Sequence, residues 1–133
     1  LLAAAGVLAA SLGWALLSWR FIGLVRRSPA RDRLHAKLIA VACSLGVVAM
    51  LSAAVGVALG EYRVIHLAAQ LGLWWFIVPV YVTVAHRMIP FFTASALPVL
   101  DAWRPNWLLW TLLGLVGLQG CWVAGEALEC RPA

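Results

Sequence analysis

Four runs of apolar residues, each about twenty long or more, dominate this chain and leave it few ways to fold. They cover about 1–25, 38–59, 64–86 and 107–128. An α-helix rises about 1.5 Å per residue, so each run can cross a hydrocarbon layer about 30 Å thick. Only helices and closed barrels satisfy their own backbone in lipid, and barrel strands are short and alternate apolar with polar residues. These runs are long and do not alternate, so they are read as helices. Composition agrees: 65% of the 133 residues are hydrophobic and 11% charged, where a soluble domain carries about 25% charged residues. A small domain in water leaves much of its surface exposed, and this chain has too little polar surface to cover itself. The expectation is an all-α integral membrane fold of four antiparallel transmembrane helices. The chain opens on Leu1-Leu2 without Met and closes just past an apolar run. It is therefore expected to be a partial polytopic membrane domain over 1–133, whose partners are the lipid bilayer and the remaining helices of the full-length chain.

The connections carry the charge. Residues 26–37 form a basic loop with Arg26, Arg27, Arg31, Arg33 and Lys37, broken by Ser28-Pro29. Gly60-Glu61-Tyr62-Arg63 has room only for a tight hairpin. The third connection, 87–106, holds Arg87, Arg104, Pro90, Pro98 and Pro105. With Arg20, one side of the membrane receives eight of the ten Lys and Arg residues, leaving Arg63 and Arg131 on the other. The positive-inside rule places the basic side in the cytoplasm and both chain ends in the periplasm or exterior. Trp19, Trp103, Trp107 and Trp122 fall where indole rings favour the interface. The net charge of +5 is accounted for by topology, so no nucleic-acid partner is expected.

Two small-residue faces predict close helix packing: Ala5-Ala9-Gly13 on the first helix and Ser52-Gly56-Gly60 on the second. Chemistry is sought among the side chains that are costly in lipid. His66 and Gln70 lie four apart and share a face. His86 follows His66 by twenty residues, about 30 Å along a straight helix and about 200° around it, so the two cannot share one metal. His66 is either a metal ligand, through a neutral imidazole held by a second acceptor, or a histidine hydrogen-bonded at the interface. His86 and Arg87 mark the basic end, where a cation suits a helix C-terminus. They are read as a topology anchor and helix cap, as a clamp for an anionic group, or, for His86, as a metal ligand. Pro90 is expected to end the helix. Phe91-Phe92 would then re-enter the apolar layer, with Thr93 and Ser95 satisfying freed backbone groups. Gln70, Gln119 and Glu126 make a possible polar path. His35, inside the basic loop, reads as solvated. No Walker loop, dinucleotide fingerprint, nucleophile elbow or HExxH motif occurs.

The stretch PVYVTVAHRMIPFFTASALP, residues 79–98, and the following Trp103-Arg104-Pro105-Asn106-Trp107 resemble the NnrS family. These are bacterial polytopic membrane proteins linked to the nitric oxide response and denitrification, and described as binding haem and copper. The resemblance is strongest over residues 62–110. It implies haem and copper as cofactors, a part in nitric oxide metabolism or protection from nitrosative stress, and a functional cluster of His86, Arg87, Pro90, Phe91 and Phe92, with His66 a further cofactor-binding candidate. It names no catalytic residue. Two other readings of the residues stand beside it. One is a transporter whose substrate path runs through a broken helix after residue 86; the other is a non-catalytic structural bundle.

Overall fold

The computed structural model describes residues 2–30, 32–97 and 105–129. Leu1, Arg31, 98–104 and 130–133 lie outside the described residues, and with them Pro98, Trp103, Arg104 and Arg131. Among the described residues the regular elements are all helices: α1 (Leu2–Arg27), α2 (Leu34–Leu59), α3 (Tyr62–Gly72), a π-helical turn (Leu73–Ile77), α4 (Val78–Ala96) and α5 (Asn106–Glu129). No break separates α3, the π-turn and α4, so Tyr62–Ala96 is one long rod, and four rods are long and apolar enough to span a membrane. This is a multi-pass membrane fold.

The rods stand in a row. α1 packs on α2, α2 on the long rod, and the long rod on α5. Among the described residues the backbone of α1 approaches α2 alone, and its Trp14 side chain reaches past α2 to the long rod. Its contact face is Ser11, Trp14 and Ser18, at helical spacing; the two serines are buried, and the Trp14 indole donates to the Cys43 carbonyl at 3.3 Å. Ser11 folds back on the Val7 carbonyl at 2.7 Å, which removes a polar hydroxyl from the interface. The Ala5-Ala9-Gly13 face expected to pack is exposed, and a Cβ on Gly13 would meet nothing within 4 Å. Aromatic and hydroxyl side chains took the interface that small residues were expected to occupy.

α2 is the hub. Its buried stripe, His35, Ala42, Ala49 and Gly56, repeats every seven residues. At its end Gly60 adopts the left-handed conformation (φ 72°), one that only glycine enters without strain. The N–H groups of Gly60 and Glu61 both reach the Gly56 carbonyl, closing the helix and reversing the chain into α3. Gly56 also permits the crossing itself, since a Cβ there would lie 2.9 Å from Ile65 Cγ1 and 3.0 Å from its backbone nitrogen.

The π-turn lies just before Pro79. Proline offers no N–H to the carbonyl one turn back. The ladder adjusts by widening: the Val78 N–H reaches Leu73 O, five residues earlier. The aromatic side chains of the turn press onto glycines of the flanking rods. A Cβ on Gly46 would sit 2.7 Å from the Phe76 ring, and Gly120 lies against the Trp75 indole. Trp14 closes the cluster, its ring centroid 5.1 Å from that of Phe76.

The segment after His86 departs from expectation. Pro90 does not end the helix; it sits inside α4, which runs on to Ala96. A proline costs a membrane helix one hydrogen bond, and neighbouring groups and local adjustment can compensate. Thr93 and Ser95 return their hydroxyls to the Ile89 and Phe91 carbonyls, each at 2.9 Å. They do not reach the carbonyl of His86, the one that faces the missing proline N–H. The broken helix on which a transporter path was premised is therefore absent over 87–96. α2 likewise begins at Leu34 rather than at 38: Asp32 Oδ1 accepts from the Leu34 N–H at 3.3 Å, starting the helix within the basic segment.

Candidate functional site

The earlier start of α2 decides where His35 goes. In the first turn of a helix whose buried stripe continues through Ala42 and Ala49, it faces the long rod and is buried at 7% exposure. His86 on α4 meets it there at 9% exposure. His35 Nε2 and His86 Nδ1 are 3.2 Å apart, and the rings stack at 22° with centroids 5.5 Å apart. The expectation of a solvated His35 is thus overturned; the residue is a partner in a two-helix pair.

A third element fixes the pair. His86 Nε2 lies 3.2 Å from the backbone carbonyl of Pro105, at the entrance to α5. A carbonyl only accepts, so Nε2 is the protonated nitrogen of His86. In the neutral imidazole Nδ1 then presents a lone pair towards His35. A backbone acceptor on one ring nitrogen and a lone pair on the other is the pattern by which proteins orient histidine ligands for metals. Beside His86 opens a cavity of ≈ 310 Å³ with almost wholly apolar walls, lined by Tyr81, Val82, Ala85, Ile89, Pro90, Pro105, Leu108 and Leu112. Thr83, one turn before His86, is fully buried on the same face.

The other candidate residues are distributed differently. Arg87, next to the pair in sequence, is exposed. Pro90 lines the cavity, whereas Phe91 and Phe92 turn outward and meet each other edge to face at 5.6 Å. His66 is at the opposite end of the rod, exposed, in an open groove of ≈ 480 Å³ with Tyr62, Arg63, Gln70, Val123, Glu126 and Ala127. Glu126 accepts a 2.9 Å hydrogen bond from the Trp122 indole. Gln119 is exposed and does not line this groove. His66, Gln70 and Glu126 are therefore brought together, but far from His86.

Residues 1–130 match the family model described as NnrS protein. The chain belongs to the NnrS family. No curated protein and no solved structure matches it. Among the described residues of this NnrS family member, no group of three or more His, Cys, Asp or Glu side chains is placed to hold a metal ion.

The sequence carried one sign of His35's role. The seven-residue spacing that links Ala42, Ala49 and Gly56 extends back to position 35. Arg33 and Lys37 lower the hydropathy around it and hide that continuity.

Proposed function

We propose that this protein is a haem- and copper-binding membrane protein of the nitric oxide response, and that the His35–His86 pair is the part of its cofactor site contributed by these helices. The observation that carries the reading is the buried imidazole pair with one nitrogen of His86 held by the Pro105 carbonyl. The donor chemistry fits, because neutral imidazole is a preferred ligand of both copper and haem iron. His35 Nε2 and His86 Nδ1, 3.2 Å apart, would be the two nitrogens that hold such an ion. Two ligands do not complete a site, so further donors come from outside the described residues. When bound, the metal would supply a redox-active centre with affinity for nitric oxide.

The chain's own residues have separate tasks in this reading. Pro105 holds the His86 proton on Nε2. His35 occupies the lone pair of Nδ1 while no metal does so. The apolar wall of Ile89, Pro90, Leu108 and Leu112 beside His86 offers a small neutral gas a favourable environment. Arg87, one residue on, is the charged group available to an anionic substituent of a cofactor. His66 stays a separate candidate, since it shares no contact with the pair. In this reading the protein sits in a bacterial inner membrane with the basic end cytoplasmic and the chain ends periplasmic, and the clustering of Arg26, Arg27, Arg33, Lys37 and Arg87 supports that orientation.

The test is the absorption spectrum and metal content of the purified protein after supply of haem and copper. A Soret band and bound copper are expected, with one or both lost in His86→Ala and weakened in His35→Ala. A wild-type protein that stays colourless and free of copper overturns the proposal.

A further inference from the structure

A second built feature lies at the same end of the bundle, on the other side of α2. Between α1 and α2 runs a groove of ≈ 510 Å³ whose mouth is set with Arg26, Arg33 and Lys37 and whose floor includes Ile22, Val25 and Val41. Three cations converge from two helices. Arg33 leans across the hairpin far enough for its guanidinium to approach the Arg26 backbone carbonyl at 3.4 Å, which holds it over the groove. Among the described residues none of the three has a carboxylate partner. Like charges gathered at one mouth without a counter-ion repel one another, and the arrangement is relieved when an anion sits among them.

The floor says what kind of anion. It belongs to rods that span the membrane, and it is apolar where the mouth is basic. A soluble phosphate or nucleotide would leave Ile22, Val25 and Val41 unused, while an acyl chain beneath a phosphate uses both parts. Basic pockets between spanning helices at the membrane surface are suited to anionic lipid headgroups.

We propose that the α1–α2 groove is a binding site for an anionic phospholipid, with Arg26, Arg33 and Lys37 around the headgroup phosphate and an acyl chain laid along Ile22, Val25 and Val41. The lipid then adds to the α1–α2 contact at the basic end of the bundle. This inference does not depend on any cofactor at the histidine pair.

The experiment is native mass spectrometry of the detergent-solubilised protein titrated with phosphatidylglycerol or, separately, with phosphatidylcholine of the same chains. Phosphatidylglycerol is expected to bind at least about ten-fold more tightly, as three basic groups near a charged headgroup allow. The triple variant Arg26→Gln/Arg33→Gln/Lys37→Gln should abolish that preference, and Arg20→Gln/Arg27→Gln, on the outer face of α1, should leave it. Val41→Trp, which fills the floor without changing charge, should lower affinity for phosphatidylglycerol several-fold and keeps the test decisive if the triple variant does not fold. Equal binding of the two lipids, equal loss in the Arg20/Arg27 variant, unchanged binding in Val41→Trp, or full displacement by millimolar inorganic phosphate each overturns the proposal.

Discussion

His66 and His86 ride on one continuous rod, twenty residues apart, and their surroundings differ in nearly every physical respect. His66 stands exposed in an open groove beside Gln70 and Glu126. His86 is buried, paired with a histidine from another helix and fixed by a carbonyl from a third element. The residue type is the same, and so is the helix. The difference lies in what the neighbouring rods bring. At the His66 end α2 turns back through Gly60 and offers no side chain to the imidazole. At the His86 end α2 begins with His35, and the Pro105 carbonyl at the entrance to α5 accepts from the His86 imidazole as well as from the Leu108 N–H. Among the described residues, neighbouring elements bury the imidazole and define its tautomer at the His86 end and leave it exposed at the His66 end.

Substitutions can break that contrast or sharpen it. The largest effect is expected from His86→Ala, which empties a buried position and strands the Nε2 of His35. It should cost about 2–4 kcal/mol in unfolding experiments in detergent. His35→Ala removes only one partner of His86 and should cost about 1–3 kcal/mol. In a double-mutant cycle the two losses should fail to add by about 0.5–3 kcal/mol, as expected for residues in contact; full additivity would show that the pair is not coupled. Gly60→Ala probes the other end through its backbone. Its left-handed φ should make alanine cost about 1 kcal/mol, so that the hairpin is demanding even where the nearby histidine is not. His66→Ala should be smallest, within about 0.5 kcal/mol. It should also leave unchanged any cofactor absorbance that His86→Ala removes. A His66 effect as large as that of His86 would erase the distinction between the two ends.

Much of this fold was readable from residue order, because lipid imposes a simple length rule on apolar runs. The limits of that rule show in particular residues. Hydropathy started α2 after Lys37, since averaging over Arg33 and Lys37 conceals a helix whose one buried face is apolar. With that start misplaced, His35 fell in a loop and the pair was lost. His86 was found because its neighbours Arg87, Pro90, Phe91 and Phe92 make an unusual string; its partner lies 51 residues away and shares no local pattern with it. Pro90 misled for a different reason. Its effect on a helix was judged from the ring alone, yet in a membrane the alternative to a strained helix is unsatisfied backbone, which is worse. The groove at His66 was anticipated in part, through Gln70 and Glu126, but Gln119 does not line it: one hundred degrees per residue decides which side chains face inward, and the helix rotation is set by packing.

The π-turn has a consequence for inheritance of the site. A π-turn holds one residue more than the α-helical turn it replaces, which rotates everything beyond it by about 100° relative to an uninterrupted α-helix. His86 lies downstream of Leu73–Ile77, so its bearing towards α2 is phased by that single surplus residue. Deleting one residue there would swing the imidazole away from His35 without touching either histidine. A single residue gained or lost about three helical turns before His86 can thus decide whether the two histidines meet.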